Sequence, residues 1–192
     1  MKRSVVATLL GMAVVLTACS AETTEVNKPA SPGAPVPTGA QSSTPAAPAN
    51  PVAHVGATLN LTGESGPLAA TLSQIINPAT GTDGPPTDDN GNANGSTYIA
   101  AMLTINNTST SARKDDADND AVLIGSDNQS YTPDFHSVTE CTDFSNGEYQ
   151  LGPGESANGC VVFVVPPGIT PAKFKYTPSS GFGNSFGEWL IP

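Results

Sequence analysis

Leu151–Pro166, with the sequence LGPGESANGCVVFVVP, is the stretch that decides the fold. Its first glycines permit a tight turn. The run that follows, residues 160–165, is continuously apolar and rich in β-branched side chains, which is typical of a strand buried on both faces. Pro166 ends the run, because proline cannot donate a ladder hydrogen bond. The stretch therefore predicts a turn followed by a central β-strand.

Strand periodicity continues on both sides of this stretch. The strongest example is residues 98–106, where Ile99, Ala101, Leu103 and Ile105 share one face. Further strands are predicted over 55–61, 68–76, 121–125, 130–131, 148–151, 173–177 and 186–191, and loops over 77–96, 109–120 and 137–147. No segment has helical periodicity over ten residues. About eight or nine short strands separated by turn signals predict an all-β fold, an antiparallel β-sandwich.

Three segments carry a resemblance to a known family. They are Tyr98–Ser109 (YIAAMLTINNTS), Asp127–Tyr131 (DNQSY) and the stretch 151–166. Their order resembles the telokin-like, immunoglobulin-like domain of unknown function of Gram-positive, actinobacterial-type lipoproteins. The same fold group contains a small secreted immunogenic antigen of mycobacteria. The resemblance implies an immunoglobulin-like sandwich over residues 52–192 on the cell surface, and it brings no catalytic residues.

The N-terminus has the pattern of an export signal. Lys2 and Arg3 precede an apolar run, Val5–Leu16, which is shorter than the roughly 20 residues that a membrane-spanning helix needs. Residues 1–18 are therefore predicted to be a cleaved signal peptide. Leu16–Cys19 (LTAC) resembles the bacterial lipobox, which implies cleavage before Cys19 and attachment of a diacyl group, such as palmitate, to its thiol. The alternative is a plain secreted protein in which Cys19 is incidental.

Residues 19–51 are predicted to be the lipid anchor and a disordered tether. Seven prolines lie there among Ala, Ser, Thr and Gly, and the apolar residues show no periodicity. Such a segment cannot bury enough apolar surface to offset the entropy lost on ordering, and its prolines favour extended conformations. Two acyl chains are needed for stable membrane attachment. Because the segment is expected to be extended and begins at the lipid anchor, it would hold the folded domain away from the membrane.

The charge balance limits the possible partners. The chain has a net charge of −10, and without Lys2 and Arg3 five basic residues stand against 17 acidic ones, a net charge of −12. Binding to nucleic acid needs clustered basic residues, so nucleic acid is not expected as a partner. The first interpretation of the negative charge is that it keeps the protein soluble.

The cysteine count supports export. If Cys19 carries lipid, Cys141 and Cys160 remain as a pair in an oxidising compartment, which predicts a disulfide. Free thiols or metal ligation by these two residues are the alternatives.

An acidic run is a candidate for metal binding. Asp116, Asp118 and Asp120, with Asp115 nearby, have the spacing that opens a calcium loop. Such a loop also needs Gly at its sixth position and Glu at its twelfth, and this chain has Ala121 and Asp127 there. A solvated acidic loop is therefore the first interpretation, weak calcium binding is the alternative, and no metal site or cofactor is predicted. A second acidic cluster contains Asp83, Asp88, Asp89 and Asn90.

No catalytic residues are predicted. Residues 183–187 (GNSFG) match the G-x-S-x-G motif of hydrolases, but that motif needs a following helix and a later His, and no His follows here. The two histidines, His54 and His136, have no spacing that defines a zinc site. The aromatic residues near the C-terminus are expected in the core, although those of the 182–186 loop could instead contact a ligand: Tyr176, Phe182, Phe186 and Trp189.

These observations predict a lipid-anchored protein on the outer side of the cell membrane. Its domain would be non-catalytic and would bind an envelope or extracellular protein or ligand that the sequence does not identify. The alternative is a solute- or metal-binding lipoprotein associated with a transporter.

Replacing Cys19 tests the anchor. In Cys19→Ala the thiol that would carry the diacyl group is absent, so we expect the protein to be released into the medium or to remain unprocessed. Fractionation and intact mass spectrometry measure both outcomes. Normal processing and membrane retention of the variant would show that the anchor prediction is wrong.

Overall fold

The computed structural model describes residues 50–183 and 185–192. The predicted signal peptide, Cys19 and the tether as far as residue 49 lie outside the described residues. The described residues form these elements: β1 (Val52–His54), β2 (Thr58–Gly63), β3 (Gly66–Ala79), β4 (Thr97–Asn106), β5 (Arg113–Asp116), α1 (Ala117–Asp120), β6 (Ala121–Gly125), β7 (Ser130–Tyr131), β8 (Pro133–Asp134), β9 (Glu148–Leu151), β10 (Ser156–Val165), β11 (Pro171–Tyr176) and β12 (Gly187–Leu190).

Most of the strands belong to two five-stranded sheets. The first sheet has the order β1-β12-β11-β6-β7, and the second has the order β2-β3-β4-β10-β8. A separate two-stranded ladder joins β5 to β9. The described pairs are antiparallel except β1 with β12, which are parallel. The predicted all-β, immunoglobulin-like sandwich is confirmed.

The pairing of β4 with β10 is the longest unbroken ladder of the second sheet. It runs without a register shift from Thr97 opposite Val165 to Asn106 opposite Ser156. Residues 160–163 of β10 are each at most 2% exposed. The predicted burial of this strand on both faces is confirmed there, because one face contacts the sandwich core and the other is covered by a loop.

The core between the two sheets is built around an aromatic group. The ring centroid of Phe174 lies 6.2 Å from that of Phe163 and 5.8 Å from that of Trp189. The indole nitrogen of Trp189 donates a hydrogen bond of 2.9 Å to the carbonyl of Ala57, which satisfies its buried polar atom. Full burial of a large apolar side chain contributes about 1.5–3 kcal/mol. This group therefore supplies a large part of the energy that joins the sheets.

A second apolar cluster lies on the opposite face of β4 and β10. Tyr98, Val162 and Val138 are buried there, and Val138 belongs to the loop that was predicted over 137–147. The disulfide between Cys141 and Cys160 fixes this loop to β10, with 6.2 Å between the two Cα atoms. The predicted pairing of these cysteines is therefore present, and the free-thiol and metal-ligand alternatives do not apply to them.

The single strand predicted over 55–61 is wrong. Gly56 has a φ of +96°, and its N–H donates a hydrogen bond of 2.7 Å to the carbonyl of Leu72. Such a φ is readily adopted only by glycine. The chain turns at this residue, so β1 ends at His54 and β2 begins at Thr58, and Val55 and Ala57 of the predicted alternation lie in neither strand.

Two predicted loops contain regular structure. Within 109–120, β5 pairs with β9, and α1 follows because the Asp116 carboxylate accepts hydrogen bonds from the N–H groups of Asp118 and Asn119. The loop predicted over 77–96 begins later, because β3 continues to Ala79. Within residues 50–183 and 185–192, no helix is long and apolar enough to cross a membrane.

Removing the disulfide tests its contribution to stability. In the chain-entropy model, a disulfide that closes a loop of this size stabilises by about 3 kcal/mol. We therefore expect the free energy of unfolding of the double variant Cys141→Ala, Cys160→Ala to be lower by that amount, so that it unfolds at a lower denaturant concentration. Chemical unfolding of the reduced and oxidised wild-type protein is the matched comparison. Equal midpoints for all forms would contradict this role of the disulfide.

Candidate functional site

The aspartates of the calcium-like pattern have separate roles. Asp116 caps α1, accepting a hydrogen bond of 2.9 Å from the N–H of Asp118. Asp127 lies beyond β6 and accepts a hydrogen bond of 2.7 Å from the hydroxyl of Tyr131. Among the described residues, no group of three or more His, Cys, Asp or Glu is arranged to hold a metal ion. Weak calcium binding stays a prediction without structural support.

A buried polar network lies between β5, α1 and β11. Both Arg113 and Asp120 are 1% exposed. Arg113 Nη1 lies 3.4 Å from Asp115 Oδ2, and its Nη2 donates a hydrogen bond of 2.6 Å to the carbonyl of Gly66. Breaking a buried ion pair by removing one partner is strongly destabilising, because the other charge stays buried. The side chains of this network could not be predicted, because Arg113, Asp115 and Asp120 lie in a segment without periodicity.

The carboxylates of Asp115 and Asp120 fix the loop 177–183, which follows β11. Asp115 Oδ2 accepts a hydrogen bond of 2.9 Å from the N–H of Ser179, and Asp120 Oδ1 accepts one of 3.3 Å from the N–H of Gly181. Ser179, Ser180 and Gly181 have consecutive φ values of +67°, +53° and +78°. This region is unfavourable for serine and persists only where surrounding contacts impose it. The buried acids therefore impose a strained loop conformation.

Burial also changes the acidity of Asp120. Removal from water, with the Asp115 charge nearby, raises the pKa of its carboxyl to about 7. The neighbouring Tyr176 hydroxyl and the N–H groups of Gly181 and Ser180 act in the opposite direction. Asp120 Oδ2 has no hydrogen-bond partner among the described residues. The charged form of Asp120 is therefore incompletely solvated by the protein.

An acidic cavity lies beside the disulfide. It has a volume of about 150 Å³. Its lining includes the buried apolar side chains of Phe144 and Val162, together with Cys160 of the disulfide. The remaining lining residues are mostly polar: Asp118, Asp134, Phe135, His136, Ser137, Asp143, Asn146 and Gly147. The cavity thus combines apolar surface with three carboxyl groups.

Two of these carboxyl groups, those of Asp118 and Asp143, have no cationic partner among the described residues. Burial, together with the charges of Asp116 and Asp143, raises the pKa of Asp118 to about 6. Asp143 Oδ1 lies 3.3 Å from the sulfur of Cys160, which carries no hydrogen because it is in the disulfide. The third group, on Asp134, accepts hydrogen bonds from the backbone N–H and the ring Nδ1 of His136. The cavity therefore attracts positive charge.

Phe135 is the most exposed large apolar residue at this cavity, with 90% of its surface accessible. It follows β8, which pairs with residues 162 and 163 of β10. Sequence reasoning missed Phe135, because a single aromatic residue in a short, aperiodic segment carries no signal of exposure. His136 lies at the same cavity, whereas His54 lies in β1, so the two histidines are on separate elements.

Ser185 of the G-x-S-x-G motif has a structural role. Its hydroxyl accepts a hydrogen bond of 3.0 Å from the N–H of Thr62 and donates one of 3.0 Å to the carbonyl of Thr62. Thr62 is in β2, an edge strand, so Ser185 occupies backbone groups that another strand could otherwise bind. β12 follows in place of the helix that a nucleophile elbow requires. Ser185 is therefore a structural residue, and residue 184 of the motif lies outside the described residues.

The C-terminal aromatic residues divide as expected between core and surface. Trp189 and Tyr176 are fully buried. Phe186 is half-buried, and Lys175 Nζ lies 4.0 Å from its ring centroid. Phe182, in the 177–183 loop, is 83% exposed. Phe182 is therefore the residue of this group that is free to contact a ligand.

The comparisons identify one family and a shared fold. A domain of unknown function (DUF4352) matches residues 65–185. The secreted protein MPT63 of Mycobacterium tuberculosis is 18% identical, with a TM-score of 0.53, and the match covers 74% of this chain and 99% of that one. No curated protein is similar at a significant level. At this identity, MPT63 shows the fold alone, and the resemblance inferred from the sequence is confirmed.

Two further solved structures are similar at lower TM-scores. A candidate lipoprotein of Bacillus subtilis is 15% identical with a TM-score of 0.46, and the match covers 72% of this chain and 38% of that one. An uncharacterised β-sandwich protein of Clostridium difficile is 12% identical with a TM-score of 0.43, with coverage of 74% and 94%.

The raised pKa of Asp120 predicts a pH-dependent effect of its replacement. The pKa of Asp120 is about 7 in the folded protein and about 3.9 in the unfolded chain. The protonated carboxyl therefore favours the folded state fully below pH 4. This contribution to stability is lost as the pH rises through 7. The free energy of unfolding of Asp120→Asn, relative to wild type, should therefore rise between pH 4 and pH 7, by at most about 4 kcal/mol.

Chemical unfolding across this pH range measures the effect. Asp83→Asn is the matched control, because Asp83 is exposed and makes no described hydrogen bond. A difference between Asp120→Asn and wild type that stays constant with pH would contradict the assigned acidity.

Proposed function

The chain belongs to the family of the domain of unknown function DUF4352, and from this premise we propose that it is a non-catalytic lipoprotein of the cell envelope. In this proposal Cys19 carries the lipid, residues 20–51 connect it to the domain, and the domain binds a protein or ligand outside the cytoplasm. The domain begins close to residue 50, since the Asn50 side chain and the Pro51 carbonyl accept hydrogen bonds from the N–H groups of Phe186 and Glu188.

Two independent features support a location outside the cytoplasm. The first is the order of basic residues, apolar run and lipobox-like tetrapeptide before Cys19. The second is the disulfide between Cys141 and Cys160, because disulfides persist in oxidising compartments and are rare in the cytosol. Both features are expected of a chain that is exported and then cleaved before Cys19.

Phe135 at the acidic cavity is the observation that carries the binding proposal. A phenyl ring with 90% of its surface accessible gains nothing from the core. Aromatic residues are enriched at protein interfaces, and a cation above a ring face is attracted by its negative potential. Asp118 and Asp143 line the same cavity, and neither forms an ion pair with a cation in the part of the chain that the structure describes. The fitting partner is a protein surface that presents lysine or arginine side chains.

The scaffold around this surface is rigid, which favours binding. The disulfide fixes residue 141 to β10, and Cys160 N–H donates a hydrogen bond of 3.0 Å to the carbonyl of Thr142. On the other side of Phe135, β8 pairs with β10. Because both ends of the segment are held, less entropy is lost when a partner binds.

The absence of catalysis is part of the proposal. The serine in the hydrolase-like motif is hydrogen-bonded to the backbone of β2, and within the described residues the imidazole of His136 is paired with Asp134. Neither arrangement joins a nucleophile to a general base. A binding role agrees with the structural roles of the acidic side chains, since Asp116 caps α1 and Asp115 and Asp120 hold the 177–183 loop.

Site-specific cross-linking in intact cells tests this function. A photoreactive residue at position 135 should give a defined cross-linked product with an envelope protein. Position 52 is the matched control, because Val52 is also apolar and exposed but lies on β1. We expect the product at position 135 alone.

Charge variants decide whether the acidic cavity is responsible. Asp118→Asn with Asp143→Asn should abolish the product, whereas Asp83→Asn with Asp89→Asn, which changes the net charge equally, should not. Equal products from positions 135 and 52, or equal loss in both double variants, would contradict the proposal. A small solute copurifying with the protein would instead support the transporter-associated alternative.

A further inference from the structure

A second polar site lies at the 177–183 loop, and we name it the serine cleft. It has a volume of about 370 Å³. Three serines, at positions 65, 179 and 180, line it together with Glu64, Lys114, Asp115 and Phe182. The cleft shares no lining residue with the acidic cavity.

The charges of the serine cleft are largely compensated within the protein. Asp115 is 3.4 Å from the guanidinium of Arg113, and its side chain is 7% exposed. Lys114 Nζ is 3.1 Å from Glu148 Oε2. Only Glu64 has no described ion-pair partner. In a chain with 17 acidic residues, a compensated cleft favours an uncharged ligand.

Hydroxyl groups supply hydrogen-bonding capacity in this cleft. Ser179 Oγ accepts a hydrogen bond of 2.8 Å from the N–H of Glu64, so its own proton is available to donate. Ser180 is exposed, and its hydroxyl makes no hydrogen bond with a described residue. A ligand with several hydroxyl groups could therefore both accept from and donate to these side chains.

Phe182 adds an apolar surface to the polar cleft. Its ring is 83% exposed and belongs to neither apolar core cluster. The face of an aromatic ring carries negative potential and attracts groups with positive edges. The C–H groups on one face of a sugar ring are such groups, whereas its hydroxyls lie around the periphery. One ring and several hydroxyls together therefore match both properties of a sugar.

The cleft is held in one conformation before any ligand binds. The left-handed residues 179–181 are fixed by the buried carboxylates of Asp115 and Asp120. Gly63 permits the close approach of this loop, because a Cβ atom there would lie 2.7 Å from Ser179 Oγ. Strained backbone is concentrated at binding sites, where it positions groups in advance.

We propose that the serine cleft is a binding site for an uncharged carbohydrate. Phe182 stacks on one face of a sugar ring, and the hydroxyls of Ser179 and Ser180 bind its hydroxyl groups. This site is separate from the acidic cavity, so it does not depend on the binding role proposed for Phe135.

Saturation-transfer NMR with the detergent-solubilised mature protein tests this site. The probes are uncharged oligosaccharides of glucose, mannose and N-acetylglucosamine, and an oligogalacturonate serves as the charged comparison. We expect millimolar or tighter binding of at least one uncharged probe and weaker binding of the charged one. Since an aromatic contact contributes about 0.5–1.5 kcal/mol, Phe182→Ala should weaken binding about two- to twelvefold.

Phe135→Ala is the matched control, because it removes the other highly exposed phenyl ring and should leave sugar affinity unchanged. Ser180→Ala should also weaken binding, without altering the unfolding curve, because the Ser180 hydroxyl makes no described contact in the fold. No binding of any uncharged probe at millimolar concentration would overturn the proposal. Equal loss in Phe135→Ala and Phe182→Ala, or stronger binding of the charged probe, would overturn it as well.

Discussion

The ladder between β4 and β10 is the constraint on which the rest of the structure depends. One face of β10 places Phe163 in the sandwich core, and the other face carries Cys160, which fixes the loop that covers it. The edge of β10 that faces away from β4 pairs with β8, and on the same strand the N–H of Cys160 donates a hydrogen bond to the carbonyl of Thr142. β10 therefore holds the two segments on either side of Phe135 at the acidic cavity, which are β8 and residues 141–142. A sheet strand with both faces and both edges in use cannot shift register without losing all of these contacts.

The short helix α1 contributes one residue to each of the two candidate sites, which remain separate. Asp118 lines the acidic cavity, whereas Asp120 is buried and holds the 177–183 loop. Burying Asp120 with an incompletely satisfied carboxyl costs free energy. This cost is consistent with a role in which Asp120 and Asp115 hold two serines in an unfavourable backbone conformation. Apolar residues of similar size often stabilise a fold better than buried charged groups do. These buried acids are therefore better explained by the loop conformation that they impose than by a gain in stability.

The sequence was most informative where side-chain periodicity and burial agree. Alternation defined β4, the apolar run defined the buried part of β10, and cysteine parity predicted the disulfide. It failed in the polar segment 109–120, because the capping of α1 by Asp116 and the pairing of β5 depend on distant β9 and on backbone geometry. The exposure of Phe135 and Phe182 could not be predicted either. Whether an aromatic residue in a loop enters the core is decided by the elements that hold the loop, and these are distant in the sequence.

The two exposed phenylalanines depend on different physical interactions, and this separates the two sites. Phe135 is positioned by β8 and by a loop that is covalently fixed through Cys141, so its surroundings depend on the disulfide. Phe182 directly follows backbone N–H groups that bind the buried carboxylates of Asp115 and Asp120, so its surroundings depend on these hydrogen bonds. Ser185 occupies the edge of β2 between the strained loop and β12, which removes one route to strand-by-strand association. The two most exposed phenyl rings of the described residues therefore lie on loops that are held by different contacts, as expected of a domain that binds through its loops.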